Sequence, residues 1–254
     1  MSYPEILQAF NLSALQWMAI AFTVFLLGLS KSGIKGISII IVIILAFVFG
    51  EKASTGILLP MLIFADIIAV IYYKKHVQWY YIKKLLPAMV MGVLVGVLVG
   101  NFISEDVFKR IMAAIILVSV LIMIYTEKRK LNQMPKSRIF SSIMGFLAGF
   151  STMIGNLAGP IANIYFLAVR LPKNEFIGTA AWLFFIINVF KLPFHFFVWK
   201  TITKETLVLN SVLIPTTILG FILGAYIISL ISTVNYRRFI LLVTAVGSII
   251  LLLR

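Results

Sequence analysis

The sequence predicts an all-α membrane protein built as an inverted repeat of two five-segment halves, each with one short helix that is broken or re-entrant. Three observations predict it. The chain is too apolar for water, its apolar runs fall into two sets of five, and the same punctuation residues return in both sets.

Hydrophobic residues make up 62% of the chain and charged residues 12%, with a mean hydropathy of +1.10. A soluble domain carries roughly 25% charged and about 45–50% apolar residues. A surface this poor in charge cannot stay solvated, so the solvent is largely lipid. Lys and Arg number 22 against 8 Asp and Glu, a net charge of +14. In a membrane protein this excess belongs to the loops that stay on the cytoplasmic side, and no nucleic-acid partner is expected. Cysteine is absent, which removes a disulfide framework and a thiolate metal site. Met1–Gln16 contains Pro4 and Glu5 but neither a basic n-region nor a small-residue cleavage site, and is not expected to act as a signal peptide.

The apolar runs of the first half are Ala14–Ser30, Ile37–Phe49, Ile57–Tyr73, Leu85–Ile103 and Val107–Tyr125. A basic, polar stretch, Thr126–Arg138, separates them from Ile139–Met153, Ile161–Val169, Phe176–Trp199, Leu207–Ile231 and Phe239–Leu253. The expected organisation is therefore a first repeat over 1–126, a basic cytoplasmic linker over 127–138 and a second repeat over 139–254.

The halves share a register. Pro87, Gly92 and Gly96 return as Pro215, Gly220 and Gly224, and Lys109-Arg110 as Arg237-Arg238, all displaced by 128 residues. Gly28-Leu29-Ser30 resembles Gly149-Phe150-Ser151, displaced by 121. An odd number of segments per repeat makes the halves enter the membrane from opposite sides. Loop charge orients them. Lys74, Lys75, Lys83 and Lys84, then Lys128, Arg129, Lys130, Lys136 and Arg138, then Arg170 with Lys173, and Arg237 with Arg238, fall on one side of a ten-crossing count. The positive-inside bias makes that side cytoplasmic and puts both termini outside. Trp17, Trp79, Tyr80, Tyr81 and Trp199 stand where an interfacial aromatic belt is expected.

Two segments in matching places are too short. Ile37–Phe49 and Ile161–Val169 fall below the roughly 17–25 residues a helix needs to cross. Each follows a break, Ser30-Lys31-Ser32-Gly33-Ile34-Lys35-Gly36 and Ser151-Thr152-Met153-Ile154-Gly155-Asn156-Leu157-Ala158-Gly159-Pro160. Broken helices at membrane depth are tolerated only inside protein or around a cavity. Paired interruptions in two halves are the sequence mark of a transporter site. The freed N–H groups and helix amino termini favour an anion. The expected binding residues are Lys31 and Lys35 for charge, and Ser30, Ser32, Ser151, Thr152 and Asn156 for hydrogen bonds. Backbone N–H groups near Gly33, Gly36, Gly155 and Gly159 complete the set. The plain alternative is a turn between hairpin helices.

Deep within the membrane lies Asp66, the only carboxylate far from an interface, and similarly deep lies Lys191. Such a charge costs roughly 2.5–3.5 kcal/mol on insertion scales and is usually paired or functional. Aligning Thr55 with Thr179 brings Asp66 opposite Phe190, so Asp66 and Lys191 are expected to pair, for structure or for coupling. His195, four residues after Lys191, is expected on the same face, with Asn188 adding to a polar lining. An integral-membrane enzyme finds no support, because the two histidines are far apart and no nucleophile–base or metal-ligand spacing occurs. No metal and no cofactor is expected. An anion channel is the closest competitor.

Gly28-Leu-Ser-Lys-Ser-Gly-Ile-Lys-Gly36, Gly145-Phe-Leu-Ala-Gly-Phe-Ser-Thr-Met-Ile-Gly-Asn-Leu-Ala-Gly-Pro160, the openings Ala53-Ser-Thr-Gly and Ile177-Gly-Thr-Ala, and Lys74-Lys-His-Val-Gln-Trp79 carry a resemblance. Over essentially its whole length the chain resembles the TauE/SafE family of sulfite and organosulfonate transporters. That family usually shows a denser glycine run followed by proline. Pro160 fits this pattern, whereas the first break has two lysines and no proline. Residues alone imply a small anion. The resemblance implies a sulfur anion such as sulfite, sulfoacetate or thiosulfate, carried across a bacterial or archaeal inner membrane, with protons as the expected coupling partner.

Overall fold

The computed structural model describes residues 10–128, 137–232 and 235–236. Its helices are α1 (Ala14–Ser32), α2 (Ser38–Phe49), α3 (Glu51–Tyr73), α4 (Trp79–Phe102), α5 (Glu105–Lys128), α6 (Arg138–Gly155), α7 (Ala158–Ala168), α8 (Lys173–Pro193) and α9 (Lys204–Leu230). A π-helical turn, Phe194–Val198, extends α8. Among the described residues six helices are long and apolar enough to cross a membrane, while Ser38–Phe49 and Ala158–Ala168 are apolar but short. The chain is thus a multi-pass membrane protein. The expected tenth segment, Phe239–Leu253, and positions 129–136 of the linker lie outside the described residues.

Several helices begin earlier than their apolar runs. The α3 helix starts at Glu51 rather than Ile57, directly after Gly50, whose φ of 83° ends α2. Its polar first turns are satisfied locally, because Ser54 Oγ donates to the Glu51 carbonyl and Thr55 Oγ1 to that of Lys52. Lys52 Nζ donates to the Gly100 carbonyl, near the end of α4. The α6 helix starts one residue early and α9 three residues early because Ser137 and Thr203 cap them, accepting from Phe140 N and Thr206 N.

Packing relies on backbone approach, since lipid offers no hydrophobic drive between helices. The most extensive pairings are α4 with α6 and α9 with α1. A Cβ on Gly28 of α1 would collide with the Thr217 carbonyl of α9, and one on Gly149 of α6 with the Met89 carbonyl of α4. In the same way Gly220 faces the Phe25 carbonyl and Gly92 the Phe146 carbonyl. These two crossings use positions displaced by the same 128 and 121 residues that relate the sequence halves. Large apolar side chains cover the outside, with Phe47 87%, Phe102 81% and Phe197 79% exposed. In water such a surface would aggregate; in a bilayer it is the solvated face.

Candidate functional site

Each break has the same parts. The α1 helix ends at Gly33, whose φ of 131° carries the chain out of the helix, with its N–H on the Leu29 and Ser30 carbonyls. The α6 helix ends at Asn156, in left-handed conformation with φ 56°, with its N–H on Ser151 and Thr152 carbonyls. The short helices that follow, α2 and α7, have no side-chain cap at either amino terminus. At 12 and 11 residues and 1.5 Å per residue they reach about 18 Å, well short of a hydrocarbon core of about 30 Å. Their first turns meet, because a Cβ on Gly159 would lie 3.2 Å from Ser38 Oγ.

A cavity of about 50 Å³ opens at this meeting point. On the same scale one water needs roughly 10–15 Å³, so the space suits a small polyatomic ion. Ser30, Lys31, Lys35, Gly36, Ser38, Thr152, Asn156, Gly159, Asn163 and Asn188 give it one polar wall, while Leu27, Ile41, Val42, Leu58, Leu62, Ala158 and Phe184 give the other. Two uncapped helix amino termini and three buried lysines make the region electropositive around a single buried carboxylate. Asn163, 7% exposed, has no hydrogen-bond partner for its Oδ1.

The polar groups are committed unequally. Lys31 Nζ lies 2.6 Å from Asp66 Oδ1 and 5.2 Å above the Phe184 ring. Asn188 Nδ2 donates to Asp66 Oδ2 at 2.7 Å. Lys191 Nζ donates to Thr152 O at 2.9 Å, Thr152 Oγ1 at 3.1 Å and Asn156 Oδ1 at 2.6 Å. Asn156 Nδ2 donates to the Thr55 carbonyl. Lys35 Nζ has one long bond, 3.5 Å, to the Ser30 carbonyl.

The expected pairing of Asp66 with Lys191 is therefore corrected. Both oxygens of the carboxylate are taken by Lys31 and Asn188, and all three donors of Lys191 go to neutral oxygens. Placing Asp66 opposite Phe190 found the correct neighbourhood on α8, but the side chain that reaches it lies two residues earlier, at Asn188. His195 has partners of its own. It lies in the π-helical turn that begins at Phe194, with Nδ1 2.8 Å from Thr201 Oγ1 and its ring edge-on to Trp199.

Of the expected binding residues, Ser30, Lys31, Lys35, Gly36, Thr152, Asn156 and Gly159 line the cavity. Four others have different surroundings. Ser32 Oγ returns to the Leu29 carbonyl and Ser151 Oγ to the Leu147 carbonyl. Gly33 packs on Ile177 and Ile228, and Gly155 on Leu157 and Met112. Ser38 also joins the wall, although it lies inside an apolar run that hides it from sequence reading.

Residues 20–251 match the family described as sulfite exporter TauE/SafE. No curated protein and no solved structure matches the chain.

Proposed function

The chain belongs to the TauE/SafE sulfite exporter family, a family of membrane transporters of sulfur anions, and from that premise we propose that it is a secondary carrier for a small sulfur oxyanion. One observation carries the reading. The uncapped amino termini of α2 and α7 converge on one buried cavity beside Lys35, an ammonium with a single long hydrogen bond. Peptide N–H groups, a helix dipole and an under-satisfied cation all favour a charged oxygen there. Ser38 and Asn163 supply neutral donors around it. The room of about 50 Å³ favours sulfite over a two-carbon sulfonate such as sulfoacetate, whose apolar portion needs Leu58, Leu62 or Phe184 to move.

The matching glycine crossings of α1 with α9 and α6 with α4 support an inverted repeat. The two breaks then lie near the bilayer midplane, and rocking of one half against the other exposes the cavity to each side in turn. The basic loops support cytoplasmic placement of the linker and an inner-membrane location with both termini outside. Coupling to a proton gradient runs through Asp66 and Lys31. Protonation of the carboxylate releases an ammonium that already faces the cavity, so proton and anion enter together.

The test is flux into proteoliposomes offered sulfite, sulfoacetate, thiosulfate, taurine and chloride, with and without a pH gradient. Saturable movement of sulfite that Lys35→Ala weakens supports the carrier. Chloride running fastest and without saturation replaces it with an anion channel. Flux through Asp66→Asn that keeps its full response to the pH gradient removes the coupling route.

A further inference from the structure

The Lys191 ammonium has no accessible surface and no carboxylate among its hydrogen-bond partners. Its three donors instead end on a main-chain carbonyl, a hydroxyl and an amide oxygen, those of Thr152 and Asn156. Burying a charge is costly unless it is well coordinated, and here coordination comes from neutral hard oxygens. They sit at the carboxyl-terminal end of α6, where the peptide dipole presents its negative pole. Such a carboxyl-terminal end beside a broken helix is where carriers of discontinuous-helix design hold an alkali cation.

Two other lysines also meet helix ends, and they show what an ordinary cap looks like. Lys52 reaches the Gly100 carbonyl, and Lys173 reaches the Ile228 and Ile231 carbonyls. Both are partly exposed and both use only backbone oxygens. Lys191 differs in being enclosed and in drawing two side-chain oxygens into its shell. Asn156 is held for that purpose, since its amide nitrogen is fixed on Thr55.

We infer that Lys191 is a built-in cation, its ammonium filling at the end of α6 a site whose oxygens otherwise suit a monovalent alkali ion. The protein therefore needs neither sodium nor potassium. Removing the side chain leaves the three oxygens facing an ammonium-sized space. Only the flux part of the test rests on the carrier reading above.

Wild type, Lys191→Ala and Lys191→Met, the last filling the space with an apolar chain, are melted in choline, lithium, sodium and potassium chloride at equal ionic strength. Lys191→Ala is expected to gain at least about 2 °C, saturably, with one alkali cation, while wild type and Lys191→Met respond to none. No response of Lys191→Ala to any of the three overturns the inference, as does a cation response in wild type. If Lys191→Ala is too unstable to purify in choline, its folded yield in each salt reads the same question. Recovery by one alkali cation supports the inference and loss in all of them overturns it. In proteoliposomes, wild-type anion flux should change less than twofold when choline replaces sodium and potassium, and a tenfold fall overturns the inference. If no anion moves at all, the carrier reading fails and melting alone decides.

Discussion

The two breaks are built from the same parts and spend their charges differently. In the first, the charges lie on or beside the cavity, and one of them is loosely held. Lys31 leans on Asp66, and Lys35 is tied by one 3.5 Å bond. In the second, the charge comes from outside the break. Lys191 of α8 clamps Thr152 and Asn156 with three short bonds, and Asn156 in turn is fastened to α3. One break can exchange partners, and the other is a fixed wall. Polar residues in two matching sequence motifs therefore do not take an equal share in binding.

The sharpest way to break this comparison is to remove the counter-ion of the first break. Asp66→Ala leaves Lys31 buried without its carboxylate and should cost about 3–5 kcal/mol of stability, read as a fall in melting temperature. Replacing both partners, Lys31→Met with Asp66→Leu, should restore most of that loss. A double variant as unstable as the single one would show that Asn188 and the wall around it depend on the carboxylate itself. Next in size is Lys35→Ala. An ion-to-anion hydrogen bond is worth about 1.5–3 kcal/mol, so the half-saturating sulfite concentration should rise about 10- to 150-fold with melting temperature unchanged or higher. An equal loss of stability would make Lys35 a structural cap of α1 like Lys191 at α6.

Much of this architecture was legible in the sequence, for reasons that differ from residue to residue. The short runs after Gly33 and Gly155 announced α2 and α7, because run length is measured against a bilayer of fixed thickness. Depth within an apolar run also announced Asp66 and Lys191 as internal charges. Their partners were not legible. A lysine stem spans the gap between neighbouring helices, so helical register names a face without naming the atom that the ammonium meets. At His195, in the π turn after Pro193, the ring meets Thr201, a partner that register does not name. Ser38 was hidden by its apolar neighbours, and Ser32 and Ser151 looked like ligands although each returns its hydroxyl to its own helix.

Asn163 sharpens the comparison at a finer scale. It sits on α7, the second-break helix, and lines the cavity wall, where its amide Nδ2, the donor of the side chain, can serve an anion oxygen. A neutral hydrogen bond contributes about 0.5–1.5 kcal/mol, so Asn163→Ala should weaken sulfite half-saturation about 2- to 10-fold and leave the melting temperature unchanged. A stability loss with unaltered affinity would instead assign the amide to the protein's own packing.

The smallest effect separates binding hydroxyls from decoys. Ser151 is buried and lies one residue before Thr152, within the stretch that the sequence marks as a break. Its hydroxyl nevertheless donates at 2.6 Å to the Leu147 carbonyl, one turn back in α6, and it does not line the cavity. Ser151→Ala removes donor and hydroxyl together and leaves the carbonyl with its ordinary helical partner, a change expected to fall within about 0.5 kcal/mol. Half-saturation and maximal sulfite flux should both stay within about twofold of wild type. Thr152→Val, one position on, deletes one of the three acceptors of Lys191 and should lower stability measurably. If the two substitutions behaved alike, the second break would not be the fixed wall that the clamp of Lys191 makes it, and its serine would have to reach the anion in another state of the transport cycle.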